Sequence, residues 1–333
     1  MVAAGETGAT GASVGEARAV HQEGTEWTIE LRALTRVFKH VRAVDGLSLR
    51  VPTGEVYGFL GPNGSGKTTT LKMLAGLLSP TSGEALVAGE QVRPGRFSLE
   101  LRRRVGFLAE EPAFYPWMTA HEFLVFVGRL FDLSPAEAAR RAAALLDSVD
   151  LSPRAKDRIR GFSRGMRQRL GIAQALMGDP EVLLLDEPAS ALDPIGRREV
   201  LDLIASLRGR ATIMMSSHIL DDVQRVCGWV GIVRDGRLVV EAPLGELLGR
   251  YAKPVFHLEV AGERNELAAA LKRESWVKEI APEGGGLRIL VNDPERAQRM
   301  VPALVAGLGA RLTEFVTMTP TLEDVFIQLV TDR

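Results

Sequence analysis

The chain has 333 residues, 46% hydrophobic and 25% charged, with a net charge of −1; this fits a soluble globular protein of two domains and offers no global basic field for nucleic acid. Its one cysteine, Cys227, excludes an internal disulfide framework and fits a reducing compartment. No apolar run approaches the roughly 18 residues needed to span a bilayer, so membrane business would have to be supplied by another chain.

The opening MVAAGETGATGASVGEARAV lacks the basic and apolar regions of a signal peptide and is rich in small residues, so residues 1–26 are expected to form a disordered tail. WTIELRAL and GLSLRV alternate apolar and polar residues, as strands do. EVYGFLG is a short apolar run ending in glycine, the pattern of a buried strand. In KTTTLKMLAGLL the leucines Leu71, Leu74, Leu77 and Leu78 fall at helical spacing. SPAEAARRAAALLDSV begins with a capping box, Ser134 with Glu137, and has Pro135 at the first helical position. EVLLLDEP and ATIMMSSH are apolar strands that end in two carboxylates and in Ser-Ser-His. Apolar strands alternating with helices indicate a mostly parallel α/β sheet.

Glycines and prolines gather in EAPLGELLGRYAKP, which places a boundary between residues 248 and 249. Residues 249–333 read as a small α+β domain. VFHLEV, GLRILV and RLTEFVTM are its expected strands, and NELAAALKR and PERAQRMVPALVAGL are helices. TLEDVFIQLV adds a final helix capped by Thr321 and Asp324. A β-α-β-β-α-β order is expected.

The strongest motif is GPNGSGKT, which fits G-x-x-x-x-G-K-[ST] between a strand and a helix. Its glycines, Gly61, Gly64 and Gly66, let successive N–H groups converge on an anion. Gly61, Pro62, Asn63, Gly64, Ser65, Gly66, Lys67, Thr68 and Thr69 form the candidate phosphate-binding set. Lys67 can reach the β- and γ-phosphates, and the Thr68 hydroxyl can ligate Mg²⁺. The pattern specifies a nucleoside triphosphate without specifying a family.

Asp186, at the end of an apolar strand, can hold Mg²⁺ directly or through water. Glu187 follows it and can orient and polarise an attacking water. His218 ends another strand on the edge where open α/β sheets bind ligands, and a neutral imidazole there can contact the γ-phosphate and the water. In FSRGMRQRL, Ser163 and Gly165 open a helix and offer a second anion site, while Ser163 also suits an ordinary N-cap.

The order phosphate loop, FSRGM, LLLDEP, SALD and a strand ending in His resembles the ATP-binding subunits of ABC transporters over roughly residues 28 to 245. The resemblance implies a P-loop NTPase domain at 27–248, with a helical subdomain and an antiparallel β subdomain. It implies Mg·ATP as ligand and hydrolysis by the chain. It also implies a head-to-tail dimer in which Ser163 and Gly165 face ATP held by the partner's phosphate loop. Ser190 and Asp193 would lie at the dimer seam. Phe38 falls where the family has an aromatic that stacks on adenine, although a core aromatic is the plainer alternative. Glu110 stands where a glutamine is expected, near Mg²⁺ and water.

Glu110, SRGMRQRL and the TLEDVF ending together resemble the ABC-2 type exporter subgroup. Membrane permease subunits are then expected partners, as is a second ATPase subunit, with a homodimer favoured. The chain would sit peripherally at the cytoplasmic face of the membrane, binding no nucleic acid. The aromatic segment from Glu110 to about Phe131 would seat a helix of the membrane subunit, with the core of a helical subdomain as the plainer alternative for many of its aromatics. A soluble ABC ATPase for DNA repair or ribosome work is the alternative, but the single phosphate loop and the lack of sustained heptads speak against it.

Overall fold

The computed structural model describes residues 26–92, 99–190, 192–251, 254–262, 264–318 and 321–331. The expected tail lies outside the described residues, apart from Glu26. The chain divides into two compact units, Met1–Ala242 and Pro243–Arg333.

The first unit begins with β1 (Trp27–Phe38) and β2 (Val41–Pro52), paired antiparallel. β1 buries Ile29 and Leu31, then Leu34, so the inward-facing parity slips by one residue. The slip is a bulge: the register shifts between Leu31 and Leu34, and Ala33 adopts φ +49°. Gly83 packs across this kink, where a Cβ would lie 2.2 Å from the Ala33 carbonyl oxygen. β3 (Val56–Leu60) is buried at every position and leads to α1 (Lys67–Leu74). β4 (Ser82–Val87) and β5 (Glu90–Gln91) complete an antiparallel sheet of order β2-β1-β4-β5. This is the expected antiparallel β subdomain.

After α2 (Leu99–Arg104) and β6 (Val105–Leu108) come three helices, α3 (Ala120–Leu130), α4 (Pro135–Ser148) and α5 (Arg164–Leu176). They share a core that includes Phe123, Leu124, Leu146, Phe162 and Leu170. Ser134 caps α4 by accepting from the Glu137 amide, but among the described residues no return bond closes that box. The reciprocal box is on α3 instead, where Thr119 Oγ1 accepts from the Glu122 amide and Glu122 Oε2 accepts from the Thr119 amide.

β7 (Val182–Leu185), α6 (Pro194–Ser206), β8 (Thr212–Ser217), α7 (Leu220–Val226), β9 (Trp229–Arg234) and β10 (Arg237–Pro243) finish the unit. The second sheet has the order β10-β9-β3-β8-β7-β6. β9, β3, β8, β7 and β6 run parallel to their neighbours. Strands in such a sheet are covered on both faces, which is why VYGFL and VLLL are continuous rather than alternating. The parallel arrangement brings the C-terminal ends of β3, β6, β7 and β8 to one edge.

The second unit contains α8 (Leu244–Tyr251), within which the expected 248/249 boundary falls. β11 (Val255–Ala261), α9 (Arg264–Leu271), β12 (Val277–Glu283), β13 (Gly286–Val291), α10 (Pro294–Gly307), β14 (Arg311–Met318) and α11 (Leu322–Thr331) follow. The sheet is antiparallel, in the order β12-β13-β11-β14. β12 is the strand that the sequence reading did not locate. It is an edge strand that carries Pro282 and no fully buried residue, so it lacks an apolar alternation. Phe256, Leu267, Trp276, Ile289 and Val301 belong to the unit's core. α11 is capped as expected: Thr321 Oγ1 accepts from the Asp324 amide, and Asp324 Oδ2 accepts from the Thr321 amide.

Candidate nucleotide site

The C-terminal edge of the parallel sheet borders a cleft of about 520 Å³. β3 runs into the glycine-rich loop, β7 into Asp186 and Glu187, β8 into His218, and β6 toward Glu110. Asn63, Gly64, Ser65, Gly66, Lys67, Thr68 and Thr69 line the cleft from the loop and the start of α1. Phe38, Glu110, Glu187 and His218 line it from elsewhere. Sequence positions far apart are thus gathered by the sheet, as open α/β topology requires.

Two glycines of the loop are dictated by space and dihedral. At Gly61 a Cβ would lie 2.3 Å from the Val233 carbonyl oxygen. Gly66 adopts φ +97°, and a Cβ there would lie 2.3 Å from the Ala43 carbonyl oxygen. The curl turns Lys67 back over the loop. Its buried Nζ donates to the carbonyls of Gly61 at 2.7 Å and Pro62 at 3.2 Å, and stands 3.5 Å from Glu187 Oε1. Gly61 and Pro62 therefore hold the lysine from beneath the cleft.

Asp186 is 1% exposed. Its Oδ1 accepts from Thr68 Oγ1 at 3.0 Å and from Ser216 Oγ at 2.7 Å. Ser216 also accepts from the Glu187 amide at 2.9 Å. Glu187 adopts φ +47°, an uncommon conformation for a residue with a side chain. His218 Nδ1 lies 2.9 Å from Glu187 Oε2. Ser65 Oγ is buried and has no hydrogen-bond partner, and Glu187 Oε1 is buried with no hydrogen bond beyond its ion pair with Lys67. A buried polar atom without a hydrogen bond is costly in a folded protein, and both atoms belong to residues that line the cleft.

The donor set fits Mg²⁺. A hydroxyl and a carboxylate oxygen, both hard ligands, already converge at Thr68 and Asp186. Phe38 is 40% exposed at the end of β1, with the Arg36 guanidinium 4.5 Å from its ring centroid.

Six expected residues lie outside the cleft lining: Gly61, Pro62 and Asp186, which hold Lys67 and Thr68 at its edge, and Ser163, Gly165 and Asp193, which do not touch these groups. Ser163 is the N-cap of α5 and accepts from the Met166 amide at 3.2 Å. Gly165 stands in the first turn, where an added Cβ would meet only Leu192 Cδ2 at 3.8 Å and Ser163 Oγ at 4.0 Å. Asp193 caps α6 by accepting from the Gly196 amide. Ser216 carried no assigned role in the sequence reading, although the Ser-Ser-His strand end contained it. Ala43, which also lines the cleft, has no motif to mark it.

Residues 44–190 match the family described as "ABC transporter", and residues 243–330 match "ATP-binding protein DrrA1-3-like, C-terminal domain". The chain is 40% identical to the uncharacterized ABC transporter ATP-binding protein YxlF of Bacillus subtilis (strain 168), over 91% of this chain and 99% of that one. It is 35% identical to the daunorubicin/doxorubicin resistance ATP-binding protein DrrA of Streptomyces peucetius, over 90% of this chain and 92% of that one. A dimeric, post-hydrolysis ATP-binding cassette, MJ0796 bound to ADP and Pi, superposes with TM-score 0.59 and 26% identity. It covers 65% of this chain, and the match spans 98% of that cassette. Matched in both of its units, and along nearly the full length of both relatives, the chain belongs to the ATP-binding, ATP-hydrolysing subunits of ABC transporters.

Proposed function

We propose that this subunit powers an ABC-2 type exporter. It would work as one half of a head-to-tail dimer, a homodimer, on separate membrane permease subunits at the cytoplasmic face. The match of the second unit to the DrrA1-3-like domain and the similarity to a drug-resistance ATP-binding protein support export. Among the described residues no helix is long and apolar enough to cross a membrane, so the path for the substrate belongs to other chains.

The observation that carries the dimer is a separation. Lys67, Glu187 and His218 gather at one cleft, whereas Ser163 and Gly165 do not line it. A partner subunit's signature helix is then the group that closes over the γ-phosphate, through the free N–H groups at the start of α5. On ATP binding, Lys67 exchanges its carbonyl acceptors for phosphate oxygens. Phe38 stacks on adenine. Thr68, Asp186 and Glu110 would hold Mg²⁺, which supplies charge neutralisation on the phosphates. Glu187, held through Oε2 by His218, takes a proton from the attacking water at Oε1 as the water oxygen bonds to the γ-phosphorus and the β–γ bridging oxygen leaves.

The test uses Glu187→Gln in the full chain. It should bind ATP, turn over roughly 10²- to 10⁴-fold more slowly, and become an ATP-dependent dimer by light scattering. Adding Ser163→Arg should abolish the dimer while each monomer still binds ATP. A dimer that survives that change removes the shared-site reading, and near-normal turnover by Glu187→Gln removes Glu187 from its role.

A further inference from the structure

On the sheet of the second unit, strand pairing sets two carboxylates against each other. Glu259 of β11 is the register partner of Glu314 of β14. Like charges placed directly across an antiparallel pair destabilise it. His257 stands two residues before Glu259, on the same face of β11. Its Nε2 lies 3.4 Å from Glu259 Oε1, and its Nδ1 lies 3.5 Å from Glu283 Oε2 on β12. That Glu283 oxygen is buried and accepts no hydrogen bond. Three carboxylates thus surround one imidazole.

The imidazole of His257 is the nearest nitrogen group to them. Among the described residues, no lysine or arginine forms an ion pair with Glu259, Glu283 or Glu314. Arg288, the register partner of His257, is committed to Asp324. Arg264 donates to the Gly285 carbonyl. The space between the carboxylates is kept open by Gly286, where a Cβ would come within 2.8 Å of Glu259 Cγ and 3.1 Å of His257 Cε1.

We infer that His257, Glu259 and Glu314, with Glu283 beside them, bind a first-row divalent cation of the Zn²⁺ class. One donor atom from each of the first three lies within 4.8 Å of the others. Ligands of one such ion sit about 2.1 Å from it and so up to about 4.2 Å from one another. Small side-chain torsions close that gap. The imidazole distinguishes this set from an all-oxygen site suited to Mg²⁺ or Ca²⁺ and selects a metal that accepts nitrogen. The three donors come from two adjacent strands, so the sheet holds them without help from a loop. The site is built wholly from residues of the second unit and would make that unit's stability respond to a cation.

The probe is Co²⁺, added to full-length, tag-free, nucleotide-free protein after chelator treatment. Visible d–d absorption reports nitrogen–oxygen coordination, and Zn²⁺ competes for it. We expect His257→Gln and Glu314→Gln each to lose one equivalent, or to weaken it about tenfold or more, while Mg·ATP turnover is unchanged. Zn²⁺ should raise the melting temperature of the wild-type protein and not of either variant. Glu314→Gln, an exposed change on the strand surface, should keep the metal-free fold and so guards against simple misfolding. Equal Co²⁺ uptake by the wild type and both variants overturns the site, as does a wild type that takes up none outside an Asp186-dependent equivalent.

Discussion

Ser216 donates its hydroxyl proton to Asp186 Oδ1 at 2.7 Å while its own Oγ accepts from the amide of Glu187 at 2.9 Å. One side chain on β8 therefore holds the Asp186 carboxylate and the backbone that carries Glu187. Ser216→Ala leaves two buried groups short of a partner, at a cost of about 1–3 kcal/mol. Turnover should fall roughly 10- to 100-fold with ATP affinity little changed, because Lys67 is held independently by Gly61 and Pro62. Steady-state kinetics beside nucleotide titration check this; unchanged turnover would show that the two carboxylates do not need Ser216.

The loop glycines should differ sharply in tolerance. Gly66→Ala combines φ +97° with a carbonyl oxygen 2.3 Å from the new Cβ, so nucleotide binding should be lost. Gly64 has φ +81° but open space around it. Gly64→Ala should cost only the left-handed strain of about 1–2 kcal/mol. Thermal melting and fluorescent-nucleotide binding on both variants decide the matter; equal damage would mean that dihedral strain, not crowding, governs the loop.

Glu241 should make stability fall as pH rises. Burial, opposed by hydrogen bonds from the Arg50 amide and the Tyr57 hydroxyl, pushes its carboxyl from 4.5 to about 7. The folded state binds the proton more tightly than the unfolded chain. Its contribution is therefore fully present below about pH 4.5 and lost as pH climbs through 7. The difference is about 3 kcal/mol. Glu241→Gln keeps an acceptor for both donors and should flatten this dependence, with a higher melting temperature at pH 8. Denaturant unfolding from pH 5 to 8 measures it; parallel curves for the two proteins would sink the assignment.

Pro302 lies exposed inside α10 and has no amide proton for the carbonyl one turn back. Pro302→Ala should stabilise the second unit by about 2 kcal/mol, the helix-propensity gain less the freedom returned to the unfolded chain. Calorimetry should show a later transition for that unit. An earlier one would reveal a packing role for the ring.

The phosphate loop was legible because its requirements are local. A strand, a glycine curl and a helix start occupy consecutive residues from β3 through α1, so GPNGSGKT states its own geometry. VYGFL and VLLL were legible for a related reason, since burial on both faces leaves an unbroken apolar run. The final helix cap, Thr321 with Asp324, was readable at three-residue spacing, yet the same pattern at Ser134 formed only half a box. The fuller box at Thr119 went unread among the aromatics around it. Sequence spacing permits a cap; packing of the flanking chain decides whether both bonds close.

By itself, then, the sequence determined the triphosphate loop, the two carboxylates beyond it, the alternating α/β order and, through resemblance, the transporter family. Tertiary structure alone decided that Ser216 holds Asp186 and the backbone of Glu187 together, and that β12 is an edge strand. It also decided that Glu259 meets Glu314. The physical reason is the same each time. These relationships depend on strand order and register, which bring residues distant in the chain within a few ångströms, and no local pattern of side chains encodes a register across such a separation.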